Sequence, residues 1–257
     1  MKKILLLLCL AISIASCKKE NDADLTAGSE TTTTNRVAQS TVAANQTPFY
    51  WATNLIQNIP STNNSYVLQM DVLTWTGEHG ATAYRCSTVC SGFITQVLIQ
   101  TYNYTSSYFN TWTGWSDPDA AHYYNVIVAQ NHFTQINNVS QILQGDYIAL
   151  KYPSGSSSSG HIMLVASVPI LRTPSAPLVA GTTQYEISVM DCSSSGHGST
   201  DTRYISSGVF HTGAGRGIFR LYVNSIGTVV GYCWSTYSSS TYYSQSQRQL
   251  AVGRLIP

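Results

Sequence analysis

Hydrophobic positions recur at two different spacings along the chain, and the change falls near residue 145. Thr47 before Pro48 is a helix-start signal, and Phe49, Ala52, Leu55, Ile56 and Ile59 follow at helical spacing. From Cys90 to about Tyr102, the apolar stripe Phe93, Ile94, Val97 and Leu98 predicts a buried helix. Asp117-Pro118-Asp119 starts another, with Ala120, Tyr124, Ile127 and Val128 on one face. The short apolar run 66 to 76 fits a strand or a helix equally well. After Gly145-Asp146 the pattern turns extended, over 146 to 152, 161 to 168, 184 to 190, 217 to 223, 227 to 234 and 250 to 256. The Ser-, Gly- and Tyr-rich pieces 153 to 160, 193 to 201 and 235 to 247 predict loops. Helices followed by strands joined by short connections predict an α+β fold, with helices packed on an antiparallel sheet of about six strands.

The first residues follow a different logic. Lys2 and Lys3 form a basic start, and the apolar run 4 to 15 ends in small residues, which is the anatomy of a signal peptide. Ile14-Ala15-Ser16-Cys17 resembles the lipobox of bacterial lipoproteins. That resemblance implies cleavage before Cys17, lipidation of its sulfur and an extracytoplasmic protein anchored to a bacterial membrane; several acyl chains hold a protein there stably. Residues 17 to 46 have few large apolar groups and a Thr run, and read as a flexible tether. The expected organisation is therefore a leader over 1 to 16, a tether over 17 to 46 and a folded body over 47 to 257.

Composition narrows what that body does. Only 10% of the 257 residues are charged, against roughly 25% in a typical soluble domain. Residues 47 to 257 hold 8 basic and 8 acidic side chains, with Lys151 the single lysine. Nucleic-acid binding needs clustered Lys and Arg, so that class of partner is excluded. In place of charge the chain has 17 Tyr, 5 Trp and long Ser and Thr stretches.

The chemistry gathers at Val89-Cys90-Ser91-Gly92-Phe93, where a loop becomes the predicted buried helix. Unpaired N–H groups and the helix dipole at such a start favour a thiolate, and the small residues Ser91 and Gly92 leave room for an oxyanion. A thiolate nucleophile needs an imidazole to pair with it and to protonate the leaving amine. His161 stands at the start of a strongly apolar strand, behind the flexible loop 155 to 160. Read alone, Cys90 also fits a buried structural thiol, His161 a strand-end histidine and Asp191 a turn residue.

Cys90-Ser91-Gly92-Phe93, then Leu143-Gln144-Gly145-Asp146-Tyr147-Ile148, then Gly160-His161-Ile162-Met163-Leu164-Val165, together resemble the NlpC-type cell-wall cysteine peptidases of the papain-like superfamily. The resemblance covers roughly residues 75 to 195. It implies a papain-like fold that hydrolyses amide bonds of peptidoglycan stem peptides without a cofactor or metal. It also implies roles: Cys90 as nucleophile, His161 as base and Asp191 as the residue that orients the imidazole. Ser91 lies at the implied oxyanion site, Trp75 and Tyr84 are the candidates for an aromatic lining the cleft, and His197 is a rival third residue or a substrate contact. The family places Asp before its cysteine where this chain has Val89, and its Tyr-x-Trp-Gly-Gly signature is only echoed by Leu73-Thr74-Trp75-Thr76-Gly77.

Two rival functions stand beside this one. A non-catalytic module of the same fold would use its tyrosines and tryptophans to bind glycan or peptide, and an amidase or acyltransferase would use the same triad on another substrate. A zinc site built from Cys86 and Cys90, or from Asp191, Cys192 and His197, is disfavoured because neither Cys-x-x-Cys nor His-Glu-x-x-His occurs. The expected partners are a muropeptide substrate and the membrane, with the protein a monomer.

Overall fold

Thr47 caps the first helix, as its place before proline predicts. In the computed structural model, which describes residues 46–257, its hydroxyl accepts from the Tyr50 N–H (3.2 Å) and Pro48 opens α1 (Pro48–Asn58). α1 buries Trp51, Ala52 and Leu55, while Phe49, Ile56 and Ile59 pack against the rim of the same core. The expected leader, Cys17 and all of the tether except Gln46 lie outside the described residues.

The ambiguous run 66 to 76 is neither one helix nor one strand. It joins β1 (Asn64–Tyr66) to β2 (Val72–Thr74), and β3 (Arg85–Thr88) lies between them, parallel to β1 and antiparallel to β2. One residue later α2 (Cys90–Tyr102) begins, buried along most of its length by the predicted stripe. α3 (Ser106–Thr113), absent from the sequence reading, buries only Phe109 and Trp112, too few apolar groups for a visible period. α4 (Ala120–Val128) starts at the predicted Asp119 cap, whose carboxylate accepts from the His122 N–H (3.0 Å). Its buried face is Ala120, Tyr123, Val126 and Ile127, and Val128 is 43% exposed. Tyr123 can turn inward because its hydroxyl meets Thr95 Oγ1 at 2.8 Å, which satisfies the buried polar atom.

The remaining strands are β4 (Phe133–Ile136), β5 (Tyr147–Lys151), β6 (Gly160–Val165), β7 (Ile170–Leu171), β8 (Thr183–Ser193), β9 (Tyr204–Ser206), β10 (Val209–Phe210), β11 (Gly213–Val223), β12 (Val229–Cys233), β13 (Tyr242–Ser244) and β14 (Gln249–Leu255). β9 and β10 form a small hairpin. The others make an antiparallel sheet of nine strands, in the order β13-β12-β11-β8-β6-β5-β14-β4 with β7 on the flank of β8. The α+β class therefore holds among the described residues, while the expected sheet of about six strands is corrected to nine. The additional strands β4, β7 and β13 are two to four residues long, and so short a segment carries almost no alternation. β13 also lies inside the Tyr- and Ser-rich piece expected to be a loop.

The sheet has a core on each face. Ile162, Leu164, Met190 and Cys192 face the helices, whereas Met163, Val165, Ile187 and Val189 face a second core with Phe219, Tyr232 and Val252. β12 and β14 are separated by four strands in the sheet order, yet both feed that second core, so the sheet curls around it. The candidate site lies where β6 and β8 meet the start of α2.

Candidate active site

α2 begins at Cys90 itself. Its N-cap, Val89, has an extended backbone and makes no side-chain cap bond, so the first-turn N–H groups stay free of a local side-chain acceptor. Gly92 is required in this turn, because a Cβ there would strike the Asp71 carboxylate and the Thr88 hydroxyl, which hydrogen-bond each other against the helix. A carboxylate from the β1–β2 connection thus approaches the turn that lacks an acidic cap of its own.

His161 is the second residue of β6 and Asp191 lies near the end of β8, 30 positions later. His161 Nε2 and Asp191 Oδ2 are 2.7 Å apart, with His161 6% exposed and Asp191 wholly buried. The Cys90 thiol lies close enough to the imidazole for its charge to act on the ring. Since Nε2 is taken by the carboxylate, Nδ1 is the nitrogen left for sulfur. Burial alone would push the imidazole down, but the Cys90 charge and the bond to Asp191 outweigh it and raise its pKa to about 9. The arrangement therefore favours the protonated form of the His161 ring.

Asp191 is held from three directions. Its Oδ2 also lies 3.0 Å from His197 Nε2, and its Oδ1 accepts from the Arg203 guanidinium (2.8 Å). Burial opposes its charge, yet Arg203 and the two histidines hold the carboxyl well below the usual carboxylate range. His197 Nδ1 donates to the Trp234 carbonyl (2.7 Å), and the Trp234 ring stacks on His197 with centroids 4.4 Å apart. Behind these groups Asp201 accepts from Arg203 Nε (2.9 Å) and from the His197 backbone N–H (2.8 Å). Gly215 and Gly217 point the same way from β11, two residues apart, and a Cβ on either would run into Arg203 or into Asp201 and His197. The Gly213-Ala214-Gly215-Arg216-Gly217 run thus makes room for a buried charge cluster.

A cleft of about 300 Å³ opens over His161, lined among others by Tyr66, Tyr152, Ser194, Trp234 and Arg248. Tyr66 feels both burial and the nearby Cys90 charge, which push its phenol up to about 12, so it remains a hydrogen-bond donor at neutral pH.

His161 and Asp191 are therefore hydrogen-bonded to each other, with Cys90 close enough for its charge to act on the ring and Ser91 next to it in the first turn of α2. His197 joins this chain from behind: it is wholly buried against Asp191 and does not face the cleft. Trp75 and Tyr84 stand apart from the cleft. The Trp75 indole N–H donates to the Trp51 carbonyl (2.9 Å) and its ring packs edge-on to Trp51, while Tyr84 packs against the same helical core. Tyr66, Tyr152, Trp234 and Tyr243 are the aromatics at the site, and none carries a motif that points to it. Asp201 and Arg203 were also unmarked, although a close pair of opposite charges next to a glycine run in so uncharged a body was the signal available.

The two cysteine groupings weighed for zinc are also placed. Cys192 and Asp191 alternate on β8, so the thiol enters the helix-side core, where its Sγ lies 3.8 Å from that of Cys86. Asp191, Cys192 and His197 consequently do not converge on one point. Cys86, Cys90, Cys192 and Cys233 are all free thiols.

An uncharacterized protein of Acanthamoeba polyphaga mimivirus is 33% identical to this chain over 215 residues, which span 80% of the chain and 94% of that protein. No protein-family model matches the chain. No solved structure matches it.

Proposed function

We propose that this chain, which belongs to one family with the mimivirus protein, is a papain-like cysteine hydrolase of the NlpC type that cleaves amide bonds of peptidoglycan stem peptides. The observation that carries the hydrolase reading is the buried His161–Asp191 pair at 2.7 Å, set beside Cys90 at the start of α2. Peptidoglycan as substrate rests on the likeness of the Cys-Ser-Gly-Phe, Gly-Asp and Gly-His series to that family.

In this mechanism the Cys90 thiolate attacks the carbonyl carbon of the scissile amide, and N–H groups of the first turn of α2 stabilise the resulting oxyanion. The C–N bond breaks as His161 gives its Nδ1 proton to the leaving amine. Water, deprotonated by His161, then attacks the thioester; the carboxylic product leaves and the thiolate returns. Asp191 keeps the ring oriented and stabilises its imidazolium, and His197 and Arg203 fix Asp191.

Purified protein incubated with muropeptides under reducing conditions tests this. Wild type is expected to release amine and carboxyl fragments, and Cys90→Ala to lose at least about 10³-fold in rate, as nucleophile removal does. Muropeptides left intact by wild type, or cut equally by the variant, overturn the proposal; binding without cleavage would return the chain to the carbohydrate- or peptide-binding reading.

A further inference from the structure

The cleft beside His161 is unusual in its polar chemistry. Its side chains are donors: the Arg248 guanidinium, the Tyr66 and Tyr152 phenols and a row of serine hydroxyls at 193 to 195. Among the described residues no acidic side chain pairs with Arg248. Its guanidinium is instead clamped between two rings, 3.8 Å from the Tyr243 centroid and 4.2 Å from that of Tyr152.

Aromatic faces orient a guanidinium and leave its N–H edge free, but they do not supply acceptor oxygens. A half-buried cation in a low-charge protein, fixed in place and lacking a carboxylate, is complementary to an anion with two oxygens. The site is also close to the imidazole: Arg248, Tyr152 and Tyr243 line the same cleft as His161.

We propose that Arg248, braced by Tyr152 and Tyr243, is the anchor for a free carboxylate of the substrate, so that this hydrolase acts on acyl compounds carrying an anionic group close to the scissile amide. The assignment rests on the hydrolase reading for its meaning, but not for its test. Arg248 forms no bond in the reaction; it positions the acyl compound through a charge-assisted, bidentate contact.

The test uses the full chain carrying Cys90→Ala, which binds without turnover, titrated calorimetrically with N-acetyl-Ala-Ala and with its C-terminal amide. The acid is expected to bind about tenfold more tightly than the amide, in line with a hydrogen bond to a charged group. Arg248→Gln is expected to erase the preference, and Arg248→Lys to keep part of it. Should Arg248→Gln unfold, the salt dependence of the unaltered Arg248 protein decides: added salt should weaken the acid and leave the amide unchanged. Equal affinity for acid and amide, binding of neither, or an undiminished preference in folded Arg248→Gln overturns the inference. Carboxylate preference without Cys90-dependent cleavage leaves the anchor standing and removes the hydrolase reading, whereas cleavage without the preference does the reverse.

Discussion

His161 carries the clearest pH signature of any residue in the site. Its folded pKa of about 9 stands above its ordinary value of 6.5, so the charged ring contributes stability that is complete below 6.5 and is lost as pH rises through about 9. In the proposed mechanism cleavage should fall over the same upper limb, because there the imidazolium is the acid that protonates the leaving amine. Asp191→Asn removes the carboxylate that helps raise the ring, and is expected to move that limb downward and to slow cleavage by roughly 10³-fold. A pH profile of kcat/KM for both proteins checks this, and an unmoved limb would contradict the assigned role of Asp191. Asp191 itself has the opposite sign, giving stability above the usual carboxylate pKa of 3.8 that is lost as pH falls below it. Arg203 is 2% exposed and joins Asp191 to Asp201. Replacing it with Met strands two buried carboxylates, and urea unfolding should show a loss of about 3–5 kcal/mol.

Among the elements, β11 shows how the sequence permits this burial. Gly215 and Gly217 leave a groove under the charge cluster, so Gly215→Ala sets a methyl against Arg203, a largely rigid neighbour held by four hydrogen bonds from its side chain. The expected cost is about 1–3 kcal/mol in urea unfolding, with cleavage reduced as Asp191 shifts; an unchanged midpoint would show that the groove has slack. The elements that hold the reacting groups were legible because each is long and regular in its pattern: the Phe93, Ile94, Val97 and Leu98 stripe of α2, and the apolar runs of β6 and β8. The approach of β1 and of the end of β12 to the site was not, although the expected strand 227 to 234 already includes Trp234. The two bring Tyr66 and Trp234 to the cleft through long-range pairing, of β1 with β3 and of β12 with β11, and local periodicity has no access to such contacts. The same limit explains Trp75, whose sequence neighbourhood resembled a site motif but whose indole is needed by the Trp51 carbonyl in the core.

At the scale of the molecule, the described body balances 8 basic against 8 acidic residues, and several of them neutralise one another: Asp191, Asp201 and Arg203 form one buried cluster, and the part-exposed Arg254 pairs with buried Asp146 at 2.8 Å. Little charge is left to hold the protein on a wall or membrane. Attachment is expected to come from Cys17, and Cys17→Ala should shift the protein from the membrane fraction to the soluble extract while purified enzyme keeps its rate; continued sedimentation with membranes would refute the anchor. β8 adds a demand on folding. Asp191 and Cys192 occupy neighbouring positions on opposite faces, one in the polar cluster and the other in the helix-side core. A slip of one residue against β11 exchanges them, sending a carboxylate into an apolar interior and a thiol to the imidazole. Such a conformer has neither a stable core nor an oriented His161, so errors of pairing are removed by instability and leave no half-assembled site. Specific activity should accordingly report the fraction of chains folded in register, and a partly misfolded preparation should show fewer working sites of full rate, not a uniform population of slow ones.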